Sequence, residues 1–240
     1  MAKRLKAMGR PEYQEVVNQD GWTGKVNLVH DRLDYPDRWK KPARVFVDSM
    51  SDLFHEDVPD DYIQSVLRVM ANNPRHTFQV LTKRPSRMAQ LLYTSDEVTH
   101  ILLGCSVSIQ RDADKALQDM AWVSRLGWRT FVSFEPALGF VDWSGWRFVD
   151  WMICGGESGP GARAMPPIAP LPTLSFCTQN QIPFLFKQWG DMPAVFAELC
   201  IEFGYNPKEK KGGRVLNGRV YDEYPPRPAY DEARDVWSVG

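Results

Sequence analysis

The chain has 240 residues, 43% hydrophobic and 25% charged, which suffices for one large α/β domain or two small ones. Its formal net charge of −1 excludes a global attraction to nucleic acid or to an anionic membrane, so any basic surface must be local. No apolar run approaches the roughly 20 residues that span a bilayer, and the start, MAKRLKAMGR, lacks the apolar segment of a signal peptide, so the reading is a cytoplasmic protein without a membrane partner.

Residues 2–8 read as a short helix closed by Gly9-Arg10-Pro11, and Val26 to Val29 as a brief strand. A repeating pattern then begins. Arg44-Val45-Phe46-Val47 is an apolar run ending in Asp48-Ser49-Met50-Ser51-Asp52, and a helix follows with Ile63, Val66, Leu67 and Met70 at helical spacing. Phe78 to Leu81 ends in Thr82-Lys83-Arg84-Pro85, before a helix that Ser86 is placed to cap. Ile101 to Gly104 leads to Cys105-Ser106-Val107-Ser108 and to a helix with Ala113, Ala116, Leu117 and Met120 on one face. Thr130 to Ser133 ends in Phe134-Glu135-Pro136. Trp151 to Cys154 ends in Gly155-Gly156-Glu157-Ser158-Gly159-Pro160-Gly161, with Arg163 close behind. A helix interrupted by proline is read through Leu171, Leu174 and Cys177, and Pro183 to Phe186 ends in Lys187-Gln188-Trp189-Gly190.

Short apolar strands alternating with helices predict a parallel sheet, either a partial βα barrel or an open doubly wound sheet. Beyond Gly190 the rhythm stops. Residues 194–203 read as a further helix, Lys208 to Lys211 as a solvated charge run, and Asn217-Gly218 as the turn of a β-hairpin. The reading is thus a barrel-like domain over residues 1–190 and a C-terminal extension over 191–240 whose hairpin packs on it.

In both architectures ligands bind at the carboxyl ends of the strands, and six consecutive ends here are polar. Lys83, Arg84, Arg163 and Lys187 suit a phosphate or carboxylate. Glu135 and Glu157 end successive strands and suit acid–base work, a ribose or pairing with a rim cation. Asp48, Asp52, His55, Glu56 and Asp57 form an acidic group better explained by capping and solvation than by a cation, because ion-binding loops have tighter spacing. The histidines at 30, 55, 76 and 100 are scattered and suggest no zinc site. Cys105, Cys154, Cys177 and Cys200 lack CxxC spacing and read as buried thiols. Trp39, Trp143 and Trp146 lie in polar stretches and are candidates for surface contact.

The strings SMSDLFHEDVP (49–59), LTKRP (81–85), FEPALG (134–139), GGESGPGARAMPP (155–167), FKQWG (186–190) and GGRVLNGRVYDEYP (212–225) resemble a phage and prophage family of unknown function. That family is similar to radical S-adenosylmethionine enzymes and, distantly, to spore photoproduct lyase. The resemblance implies a partial βα barrel of the radical-S-adenosylmethionine type. It also implies a [4Fe–4S] cluster held by three cysteines after a first strand, and radical chemistry on a nucleotide or nucleic acid.

On that frame Ser106, Ser133, Glu135, Gly155, Gly156, Glu157 and Lys187 face the cofactor, S-adenosylmethionine. Asp48, Ser49, Asp52, Lys83, Arg84 and Arg163 face the substrate, while no catalytic residue and no metal ligand set is assigned. The chain departs from the pattern in two places. It opens at the segment that follows the cysteine loop in relatives, so the first strand and the cluster ligands are expected to be missing. An upstream start, trimming and natural shortening are the three explanations. Gly104 to Ser108 also stands where relatives have a GVSVE-like string. The missing strand predicts an unpaired sheet edge, to be covered by N-terminal residues, by the C-terminal hairpin or by a second copy in a homodimer. The competing reading is a non-catalytic accessory protein that binds and inhibits a host defence complex.

Overall fold

A computed structural model describes residues 2–94 and 98–226. Six parallel strands form one sheet in strict chain order: β1 (Arg44–Val47), β2 (Thr77–Thr82), β3 (Ile101–Val107), β4 (Arg129–Phe134), β5 (Trp151–Gly155) and β6 (Phe184–Gln188). Because each strand pairs with its successor, the winding never reverses. The sheet curls into a half-barrel instead of forming a doubly wound sheet with helices on both faces.

The outer face is covered by α3 (Asp60–Ala71), α4 (Pro85–Leu91), α5 (Gln110–Arg125) and α6 (Pro170–Asn180), which bury Ile63, Leu67 and Met70, then Met88, then Ala113, Ala116 and Met120, then Cys177. These meet Phe78, Val80, Leu103, Cys105, Val132, Phe134, Cys154 and Phe186, every second residue of the strands, as a sheet with one helix-covered face requires.

Four local expectations are corrected. Val26–Val29 pairs with no strand, and Leu28 packs against the helix-side core. Pro85 opens α4 with no side-chain cap, and the Ser86 hydroxyl donates to Asp119 on α5 at 2.5 Å. Pro170 and Pro172 both fall in the first turn of α6, where the missing N–H groups have no helical partner anyway, so the helix is unbroken. Trp143 and Trp146 are 2% and 1% exposed, so neither offers a surface; Phe134, Trp143, Trp146 and Phe148 pack ring against ring at 5.3 to 5.7 Å. Among the described tryptophans it is Trp22 and Trp122 that stand out as exposed.

The chain opens with α1 (Ala2–Ala7) and the single-turn α2 (Tyr35–Arg38). After β6, α7 (Ala194–Ile201) leads to the hairpin β7 (Val215–Leu216) and β8 (Arg219–Val220), which turns on Asn217 and Gly218, both at positive φ. Residues 221–223 then run antiparallel along β6. Phe186 N–H donates to the Tyr221 carbonyl and Glu223 N–H to that of Phe184. The C-terminal segment therefore covers the β6 edge. Among the described residues, no segment pairs with the opposite edge, on β1, where Phe46 is 38% exposed.

Candidate functional site

The inner face of the half-barrel divides along the strand direction. Its amino-terminal half is plugged by Leu102, Phe131, Trp151 and Leu185, with Tyr224 from the C-terminal segment 5.0 Å from the Trp151 ring. Trp151 Nε1 donates to the Glu223 carbonyl, and the Arg44 guanidinium lies 4.0 Å over Tyr224. Gly104 makes room for this plug: a Cβ there would lie 2.4 Å from the Phe131 ring. Above it, Leu81 and Ile153 remain partly accessible and form an apolar floor.

Alternation along each strand then places Ser106 on β3, Ser133 and Glu135 at the end of β4, Gly155 on β5 and Lys187 on β6 on this same inner face. The Lys187 ammonium donates to the Glu135 carboxylate at 3.0 Å. This pair crosses β5 directly over Gly155: a Cβ at 155 would sit 3.3 Å from Lys187 Cβ and 3.5 Å from the Glu135 carboxylate. Small residues in the middle strands and opposite charges at the flanks make a shallow trough with an apolar floor and a polar wall.

The other predicted residues lie around the same end of the sheet but do not all point into the trough. Asp52 is a clamp. Its carboxylate accepts bonds from Phe54 N–H, the Thr82 hydroxyl, Lys83 N–H and the Arg84 guanidinium, at 2.6 to 3.1 Å, tying the loop after β1 to the end of β2. Glu157 and Arg163 form a second closed unit, in which the carboxylate takes Nε and Nη2 of Arg163 and its backbone N–H. Glu135 and Glu157 are thus engaged by different cations, and of the four predicted cations Arg84, Arg163 and Lys187 are each already held by a carboxylate. Among the described residues no acid pairs with Lys83, which is exposed beside the trough.

Gly156 serves contact between strands. A Cβ there would fall 1.8 Å from the Trp189 carbonyl oxygen, so the ends of β5 and β6 meet backbone to backbone. Ser49 is exposed on the loop after β1. Asp48 has φ 54, a left-handed conformation that aspartate tolerates better than most residues. The residue is exposed, yet neighbouring protein partly desolvates its carboxylate. That desolvation raises its pKa, Asp52 adds to the effect, and the Ser51 hydroxyl opposes it. Tyr62, on α3, feels the Asp48 charge and titrates above its usual range, chiefly through burial.

The Arg163 bonds hold the Glu157 carboxyl at a pKa of about 2. A group depressed in the folded protein contributes stability above its ordinary pKa and loses it as pH falls through the folded value. The 157–163 loop is therefore expected to stay latched at pH 4 and to open only near pH 2. A carboxyl-carbon NMR titration of Glu157 checks this, and a midpoint near 4.5 contradicts it.

The four cysteines are buried, and burial pushes each thiol upward, Cys105 to about 12. Cys105 and Cys154 point into the helix-side core. None is placed as a thiolate ligand of a rim cluster. Among the described residues, no group of three or more histidine, cysteine or acidic side chains could hold a metal ion. A cavity of about 530 Å³ lies elsewhere, at the amino-terminal end of β6 between α6 and the C-terminal segment, with Cys177, Phe184, Arg219 and Tyr221 among its walls. Sequence reasoning missed the aromatic plug and the Leu81–Ile153 floor, although strand alternation carried the signal for both.

The fold and this strand-end trough define a sequentially wound βα half-barrel with a polar rim. A family model described as a protein of unknown function (DUF5131) matches residues 1–225, and the chain belongs to that family. No curated protein and no solved structure matches it. No helix among the described residues is long and apolar enough to cross a membrane.

Proposed function

We propose that the protein binds a nucleotide-like ligand, S-adenosylmethionine on the resemblance to phage radical-S-adenosylmethionine proteins, in the trough at the carboxyl ends of β3 to β6. The observation that carries this reading is the Glu135–Lys187 pair stretched across Gly155. It presents one carboxylate and one ammonium over Gly155, a position with no side chain of its own. Glu135 suits a ribose hydroxyl or an amino group, Lys187 and Lys83 suit a carboxylate or phosphate, and Ser106 and Ser133 supply neutral hydroxyls. The Leu81–Ile153 floor gives a ring an apolar seat. Bound there, S-adenosylmethionine supplies a sulfonium-activated carbon.

A [4Fe–4S] cluster does not fit the cysteines of this chain, all four of which are buried away from the trough with raised pKa, and no radical step is assigned. Calorimetric titration of S-adenosylmethionine into the protein tests the reading. Saturable 1:1 binding is expected, and the absence of heat at high ligand concentration sinks it.

The exposed β1 edge at Phe46 supports a second reading, as an accessory protein that accepts a strand from a host complex or from a second copy. Stoichiometric recovery of one host protein, abolished by Phe46→Pro, would favour it. Recovery unaffected by that change would count against it.

A further inference from the structure

The charge run at Lys208 to Lys211 is held more firmly than a solvated loop requires. The turn is fixed to the carboxyl end of β6: Gly190 N–H donates to the Lys211 carbonyl at 2.9 Å and Trp189 N–H to that of Gly213 at 3.2 Å. Within it, Asn206 N–H donates to the Gly212 carbonyl at 2.9 Å, closing the turn on itself. Lys211, Gly212 and Gly213 have φ of 57, 73 and 80, three successive left-handed residues. Gly212 packs so tightly under Tyr205 and Trp189 that a Cβ would lie 2.2 Å from the Tyr205 ring. A lysine in the left-handed region is uncommon and persists where its surroundings fix it.

Lys208, Lys210 and Lys211 have no acidic partner among the described residues. Glu209, between them, instead accepts a bond from the Asn206 side chain at 3.0 Å. In a chain of net charge −1 this is a local basic shoulder, and Gly190, to which it is tied, lies against the Glu157 backbone at the rim.

We propose that the lysine turn is a docking surface for the backbone of a single-stranded nucleic acid whose strand continues to the trough. Several separate ammonium groups on a pre-set turn match a row of phosphates better than one phosphate, which calls for convergent, bidentate donors. Phe196 on α7, which leads into the turn, is 47% exposed and offers a ring to an unstacked base. An anionic bilayer presents phosphates too, and the vesicle arm of the test separates it from a nucleic acid. The proposal rests on the rim reading only for the direction in which the strand runs.

The test is fluorescence anisotropy of a labelled mixed-sequence 15-nucleotide DNA strand with the full chain, over a range of salt. The comparison is with the triple variant Lys208→Gln, Lys210→Gln and Lys211→Gln, shown by its melting curve to be folded. The variant is expected to bind about tenfold or more weakly at low salt, and its slope of log K against log salt to shrink by about 2. Three results would overturn the proposal: no binding by the wild type, equal binding and slope in the variant, or retention by anionic phosphatidylserine vesicles but not by DNA. Equal affinity for the corresponding duplex would overturn its single-stranded form. The triple variant should still bind S-adenosylmethionine. A wild type that takes the strand through the turn but not that ligand removes the rim reading and leaves this one standing.

Discussion

Gly156→Ala is expected to destabilise the fold by about 3 kcal/mol or more. The added Cβ would be driven to 1.8 Å from the Trp189 carbonyl oxygen and 2.5 Å from its carbon. The obstacle is main chain on both sides, and the Trp189 side chain cannot yield, since it is fully buried with its ring N–H bonded to the Val215 carbonyl. Relief requires β5 and β6 to separate at their ends, which would also loosen the turn after Asn206. Gly155→Ala, one residue earlier, is the control. Its Cβ would meet only Lys187 Cβ and the movable Glu135 carboxylate at 3.3 to 3.5 Å, so stability should change by about 1 kcal/mol or less. Urea denaturation of both variants checks the contrast, and equal midpoints would refute the backbone-contact explanation.

The second large effect is on ligand binding. Glu135→Gln removes the carboxylate that holds Lys187 and faces the trough, and S-adenosylmethionine should bind about tenfold or more weakly, as expected for one charge-assisted hydrogen bond. Stability should change little, because the Lys187 side chain is half exposed and such pairs contribute about 1 kcal/mol at most. Loss of fold together with loss of binding would make Glu135 a structural residue. Calorimetry beside a melting curve separates the two. Glu157 serves as the comparison, since its carboxylate is consumed by three bonds to Arg163 and its removal should loosen the loop before it affects the ligand.

The parallel βα sheet was legible in the sequence because each strand is a short apolar run and each helix carries an apolar stripe, such as Ile63, Leu67 and Met70, whereas the choice between a barrel and a doubly wound sheet rests on the strand order. Polar residues at every strand end marked the rim for the same reason. Which of those residues pair was not legible. Asp52 reaches across 32 positions to Arg84, and Glu135 across 52 to Lys187, and only the register of parallel strands brings them together. Trp143 and Trp146 sit among polar neighbours and gave no local sign that they fill the space beside Phe134. The C-terminal segment was likewise unreadable as a strand, because Asp222 and Glu223 are charged, and it is held to β6 by main-chain bonds and by the Phe184 N–H donating to the Glu223 carboxylate.

The ligand site proposed above is the inner face around Gly155. Amide NMR of the deuterated protein titrated with S-adenosylmethionine tests it most directly. Saturable shifts are expected at Ser106, Ser133, Glu135, Gly155 and Lys187. Shifts confined to the cavity beside Cys177 and Tyr221, or no shifts at all, would contradict it.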